Sequence, residues 1–174
     1  MRKNIEFLSP FVDAIAEALM LNVMRFEAGT RPIVRQNAAI AMGRLGLVAG
    51  SRLIETGIFA RMFTEWCNTV KRLRTDGEKV SAMSGFLNCV QAAPRVAMTQ
   101  DNLCCLHELI ASVFPPPSLI EPTLKSVITL FRELLGQDAW NSMWSTLSID
   151  VQYRLNLAYS LGQSVNPPPP PTGM

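Results

Sequence analysis

The stretch Arg35–Gly46, RQNAAIAMGRLG, constrains this chain more than any other. It follows Thr30-Arg31-Pro32-Ile33-Val34, and a proline suits the first turn of a helix, where its missing N–H leaves nothing unpaired. Ala38, Ala41, Leu45 and Val48 then fall on one helical face. Small residues in the middle of an amphipathic helix let a neighbouring helix approach closely. The spacing predicts a helix from Pro32 to about Val48, with Gly43 and Gly46 releasing the chain into a turn. A chain built this way stacks helices upon helices.

Composition narrows the class. The chain has 174 residues, enough for one compact domain or one stretch of solenoid. Apolar residues make up 48% and charged residues 17%, so most helix faces must be covered. A net charge of +2 does not call for nucleic acid or an acidic membrane as partner. The densest basic cluster, Lys71-Arg72-Leu73-Arg74, reads as a solvated helix end. Cys67, Cys89, Cys104 and Cys105 show no C-x-x-C spacing, and His107 is the sole histidine, so no metal site and no cofactor are expected. The cysteines read as small core residues in a reducing compartment. The amino terminus fits no targeting peptide, and no apolar run is long enough for membrane insertion. The expectation is a soluble intracellular protein.

Proline and glycine punctuate the chain. Ser9-Pro10 opens a first helix to about Met24, with Phe11, Ile15, Ala18, Leu19 and Val23 as its apolar stripe. After a turn over Glu27 to Arg31 and the second helix, a third spans about Ile58–Leu73, with Phe59, Met62, Phe63, Trp66 and Val70 inward. Thr75-Asp76-Gly77 is a turn before a fourth helix, about Glu78–Gln91, carrying Val80, Met83, Leu87 and Val90. Thr99 caps a fifth through Phe114, with Leu103, Leu106, Ile110 and Val113 inward. Pro115–Pro117 stops it, and Ser118 caps a sixth ending near Leu135-Gly136. Two short helices follow, about Asp138–Leu147 and Asp150–Leu161. Trp140, Trp144, Tyr153, Leu157 and Leu161 are expected to fold back as a cap over the sixth helix. Residues 1–9 read as a poorly ordered start, 10–162 as the folded body, and 163–174, with Pro167–Pro171, as a disordered tail.

Arg35, Lys79 and Lys125 stand at equivalent starts, about 45 residues apart, and a two-helix period of ~40–47 residues marks HEAT and armadillo arrays. The fold class is therefore all-α, an α-solenoid of antiparallel helix pairs. Three to four HEAT repeats with closing helices fit within the chain.

Three segments carry a family resemblance: NAAIAMGRLGLV (Asn37–Val48), EWCNTVKRLRTDGEKVSAMSGFLNCV (Glu65–Val90) and the closing LLGQDAWNSMW…RLNLAYSLG (Leu134–Gly162). Together they resemble the carboxyl-terminal repeats of nuclear import receptors of the karyopherin-beta (importin-beta) family, in its transportin branch. The resemblance implies a longer superhelix of which this chain is a terminal fragment, present in cytoplasm and nucleus. It implies cargo proteins with proline-tyrosine nuclear localisation signals as partners, Ran GTPase bound only through absent amino-terminal repeats, and nucleoporins as further partners. On the second helix, Ile33, Asn37, Ile40 and Arg44 form a stripe at i, i+4, i+7 and i+11, about 100° from the small-residue stripe. In the family a matching Asn and Ile hold the hydrophobic part of the signal, which makes these residues the cargo-binding candidates. Packing of Ile33 and Ile40 under a neighbouring helix is the competing reading. The family's binding face is acidic, and this piece is not, so basic signal segments are a poor match.

Catalysis has no foothold. His107 beside Glu108 on a helix reads as a surface or satisfied core histidine, and Gly43-x-x-Gly46 follows a helix where a phosphate loop follows a strand. Trp66, Trp140 and Trp144 read as core. A HEAT scaffold or adaptor subunit without a transport role is the other function considered. Phe7, Leu8 and Phe11 are expected to leave an apolar edge on the first helix that favours self-association.

Overall fold

In the computed structural model the described residues are 3–25 and 31–161, with side chains described for 11–25 and 31–161. Residues 26–30, which hold most of the turn expected over Glu27 to Arg31, and the proline-rich tail lie outside them, as do the side chains of Phe7 and Leu8. The elements are α1 (Lys3–Met24), α2 (Pro32–Glu55), α3 (Ile58–Val70), α4 (Gly77–Ala92), a short 3-10 turn (Pro94–Ala97), α5 (Gln100–Ala111), α6 (Glu121–Thr146) and α7 (Ile149–Tyr159). Among the described residues there is no strand. Helices α1, α3, α5 and α7 pack in sequence as one layer, and α2, α4 and α6 as a second. Two layers of successive helices, each pair docked on the next, form an all-α helical repeat.

Local chemistry sets several boundaries. Asp76 caps α4 by accepting from the backbone N–H groups of Glu78 and Lys79. Thr99 caps α5 through Asn102, and Ser148 caps α7 through Val151. Gly136, at φ 69°, breaks the regular turn inside α6, so two helical arms meet where the sequence suggests an end near Leu135-Gly136. Ser118 is not a cap: α6 begins at Glu121 with Ile120 before it, because Pro122 supplies the first-turn geometry instead.

The second helix departs most from expectation. It runs on to Glu55, bending at Ala49 (φ −135°, ψ 25°), and Gly43 and Gly46 sit inside it. They end nothing, because their place is where α4 crosses in backbone contact. A Cβ on Gly85 of α4 would stand 2.0 Å from the Gly43 carbonyl oxygen, and one on Gly46 would stand 2.6 Å from the Gly85 carbonyl oxygen. Glycine is needed on both helices. Close approach is thus achieved as the small residues suggest, but by a different face: Ala38, Ala39, Met42, Gly43 and Gly46 are buried, whereas Ala41 is exposed and Val48 is 72% exposed. A similar rotation applies to α1, whose buried residues are Ala16, Met20 and Val23, at i, i+4 and i+7. Phe11 and Ile15 face out, at 60% and 52% exposed.

Aromatic side chains set the α3/α4 spacing. Trp66 stacks on Phe86 with ring centres 3.9 Å apart, and Phe59 and Phe63 close around the same ring. The indole N–H of Trp66 donates to the Ala39 carbonyl at 2.7 Å, so this ring also ties α3 to α2. All of the inward residues expected on α3 and α4 are buried, as are Leu103, Leu106, Ile110 and Val113 around α5. The closing helix packs against α5 rather than over α6. Leu155 and Tyr159 are buried while Leu157 is 57% exposed, a two-residue shift that turns the inward face of α7 by about 200°, and Leu161, just beyond the helix, is buried as expected.

Candidate functional site

The outer face of the α2/α4/α6 layer carries the sequence-derived candidates. Ile33 is 54% exposed, and Asn37 and Arg44 are also open. The Arg44 Nε donates to Ser81 Oγ at 2.8 Å, and its guanidinium stands 3.6 Å from the Glu78 carboxylate, so it bridges α2 to the start of α4. Ile40 differs from the expectation: it is 8% exposed and belongs to the core. It lies on the side of the stripe nearest Gly43, where α4 comes closest, and the crossing covers it. The stripe the structure leaves open is therefore Ile33, Asn37 and Arg44, with Ile40 beneath.

Continuing along the same face adds a residue that the four-residue stripe leaves out. Leu47, seven residues beyond Ile40, is 48% exposed. It borders a groove of about 290 Å³ between the far ends of α2 and α4, together with Val48, Gly50, Ile54, Asn88 and Cys89. The heptad spacing Ile33, Ile40, Leu47, Ile54 is the sequence signal that could have found it. A second, shallower hollow of about 490 Å³ runs along α6 over Pro122, Lys125, Ser126, Thr129 and Glu133. Between the two, Gln91 Nε2 donates to Ser126 Oγ at 3.0 Å and links α4 to α6. Ser51 and Asn88 in the first hollow and Ser126 and Thr129 in the second stand among apolar and charged neighbours and offer neutral hydrogen bonds to a peptide backbone.

Two buried polar residues lie away from that face. Lys79, in the first turn of α4, has no exposed surface. Its ammonium donates to the carbonyls of Leu73 at 3.1 Å, Lys71 at 3.3 Å and Ser112 at 3.5 Å, and to Ser112 Oγ at 3.0 Å. These groups belong to the carboxyl ends of α3 and α5, where partial negative charge collects. Burial pulls the ammonium down to about 8, with the nearby Asp76 charge acting the other way. Nothing in the sequence separates this lysine from Arg35 or Lys125 at equivalent starts. Arg35 pairs instead with Glu65 of α3 at 2.8 Å.

His107 is also fully buried. Its Nδ1 donates to the Leu103 carbonyl at 2.8 Å, and Nε2 has no hydrogen-bond partner. The ring meets Trp140 edge-on at 5.4 Å, and Trp140 stacks at 6.0 Å on Trp144. Desolvation holds His107 down at about 4, so it is neutral in the folded protein. A histidine enclosed in aromatic surface reaches no solvent-facing substrate. Two buried thiols are equally inert: burial pushes Cys67 well up and Cys89 to about 11. Among the described residues no group of His, Cys, Asp and Glu is placed to hold a metal, and no helix is long and apolar enough to cross a membrane.

No family model matches the chain. Similar curated proteins are Transportin from Dictyostelium discoideum, 26% identical over 161 residues and 91% of this chain, and Transportin-1 from Oryza sativa subsp. japonica, 25% identical over 148 residues and 85% of this chain. Human Transportin-1 is 20% identical over 154 residues, 88% of this chain. In each case the chain spans 16% of the relative's length. The likeness thus runs through nearly all of this chain and a small part of each relative.

Proposed function

We propose that this chain is a helical-repeat portion of a nuclear import receptor, a binding module and not an enzyme, and that it holds cargo signals on the outer face of the α2/α4/α6 layer. The observation that carries the reading is the exposed Ile33–Asn37–Arg44 stripe on α2, of which Asn37 and Arg44 lie in the segment whose sequence resembles the receptor family. An exposed isoleucine beside an exposed amide offers one apolar and one hydrogen-bonding contact to an extended peptide. Cargo with proline-tyrosine signals is the proposed partner, bound through the hydrophobic part of the signal. Ran GTPase and nucleoporins would engage parts of a longer receptor, moving between cytoplasm and nucleus.

The test is fluorescence anisotropy of a labelled peptide with a hydrophobic segment upstream of a proline-tyrosine pair. Asn37→Ala and Ile33→Ser are each expected to weaken binding about tenfold, equivalent to ~1.4 kcal/mol. Unchanged affinity in both variants overturns the site. A scaffold or adaptor role is the second reading, and the open apolar face of α1, with Phe11 and Ile15, favours it. Self-association through that face, read by sedimentation, would support it.

A further inference from the structure

We infer that the groove between the far ends of α2 and α4 is a socket for one large uncharged side chain of a bound extended peptide, an aliphatic or aromatic residue and not a basic one. This rests on the peptide-receptor reading and extends it to a part of the face beyond the Ile33–Arg44 stripe. The stripe leads there directly, since Leu47 follows Arg44 on the same side of α2.

The groove is built by a glycine that the helix crossing does not require. Gly43, Gly46 and Gly85 are explained by backbone contact, with a Cβ on any of them falling within 2.6 Å of a facing carbonyl oxygen. Gly50 meets no backbone: a Cβ there would find only Cys89 Sγ, at 3.0 Å. The absent side chain opens space instead, just after the bend at Ala49. That space measures about 290 Å³, with Cys89 as its floor and Leu47 and Val48, 48% and 72% exposed, as its rim. Its size falls near the low end for ligand sites, which suits a single side chain better than a whole small molecule.

Charge selects the occupant. Every residue lining the groove is uncharged. The flanking cations are already paired, Arg44 with Glu78 at one end and Arg52 with Asp13 and Glu55 at the other. A lysine or arginine entering the socket would lose water and find no carboxylate. An apolar side chain would exchange water for Leu47, Val48 and Ile54. Asn88 at the edge, exposed, offers the amide that an extended backbone needs.

The experiment uses the full chain and two kinds of probe. Capped single residues, N-acetyl-leucine methylamide and N-acetyl-lysine methylamide, are titrated while the backbone amides of Gly46, Gly50 and Asn88 are followed by NMR. The leucine probe is expected to shift these amides and the lysine probe to leave them. Gly50→Leu, which fills the groove, should abolish the shifts. Leu47→Ser, at an exposed rim position that leaves packing alone, should weaken them and keeps the test sound if Gly50→Leu folds poorly. Equal shifts from both probes, or none from leucine, overturn the socket. The hydrophobic signal peptide is then titrated against the same proteins. Failure of the peptide with the leucine response intact removes the receptor reading and leaves the socket. Peptide binding that neither variant weakens removes the socket and leaves the receptor reading.

Discussion

The first four helices and the last three solve the same stacking problem with different chemistry. Between α2 and α4 the backbones touch, and three glycines make the contact possible. Around that contact, ion pairs join neighbouring helices: Asp13 with Arg52, Glu17 with Arg61, and Arg35 with Glu65. Beyond α5 the described helices are joined otherwise. Gln100 and Cys104 of α5 meet Thr146 of α6, Gln152 of α7 reaches the carbonyls of Trp144 and Leu147, and the ion pair there, Arg154 with Asp150, lies within α7. The interior is filled by His107, Trp140 and Trp144, and two ring nitrogens there lack partners. A backbone contact fixes one geometry and admits no side chain. Large rings tolerate small adjustments but leave polar atoms exposed to imbalance.

The most severe way to break the first region is Gly85→Ala. The new methyl would stand 2.0 Å from the Gly43 carbonyl oxygen and 2.8 Å from the Leu47 nitrogen, both backbone atoms that cannot swing aside. Overpacking usually costs ~1–3 kcal/mol, and a backbone clash on this scale belongs at or above the upper end. Gly77→Ala is the control, because a Cβ there meets nothing within 4 Å. It should leave stability unchanged or raise it by up to ~1 kcal/mol through helix propensity. Urea unfolding of both variants decides, and similar midpoints would show that α2 and α4 can separate cheaply.

Lys79→Met probes the joint between the two regions. The substitution leaves the carbonyls of Lys71, Leu73 and Ser112 without their donor. Hydrogen bonds to a charged group contribute ~1.5–3 kcal/mol each at most, offset here by relief of the buried charge, so a net loss of ~1–3 kcal/mol is expected. Amide exchange should rise first at the ends of α3 and α5. A variant as stable as the parent would mean that these helix ends find water instead.

How much of this was legible in the sequence follows from how local each feature is. The caps at Asp76 and Thr99 and the aromatic stripe of α3 depend on a few adjacent residues, and pattern alone locates them. The glycines of α2 were visible, but their role depends on Gly85, which reaches them only through the fold. An isolated helix shows that Gly43 and Gly46 are small, not what passes over them. The same missing information placed Ala41 inside and Ile40 outside, an error of about one residue's rotation, ~100°. Lys79 was hidden for a related reason, since its acceptors are backbone carbonyls of two other helices and carbonyls leave no mark in a sequence. Of the candidate site, Ile33, Asn37 and Arg44 were legible as one face, and the groove beside Leu47 was not.

Acid tests the second region. His107 has its folded-state value held near 4, below the ordinary 6.5. Between those values the unfolded chain takes up a proton that the folded chain refuses, so stability falls as pH drops from 6.5 toward 4 and then levels off. The loss attributable to this group is ~3 kcal/mol by linkage. Carboxylates titrate in the same range, so the comparison is with His107→Gln, whose stability curve should be flatter by that amount. Superimposable curves would show that the ring is reached by solvent or by a compensating partner.

The smallest expected effect concerns the ion pairs that distinguish the first region. Arg35 and Glu65 are the best placed, with side chains 20% and 26% exposed and a nitrogen–oxygen distance of 2.8 Å. Partial burial strengthens the attraction and limits screening, but both long side chains lose freedom in forming the pair. A double-mutant cycle with Arg35→Met and Glu65→Gln should give a coupling of ~0.5–1 kcal/mol, halved or less in molar salt. That is well below the cost expected for Gly85→Ala. If the coupling instead matches the glycine effect, the region is held by charge more than by backbone contact. The α2/α3 pair would then stay docked in a Gly85 variant, with the opening confined to α4.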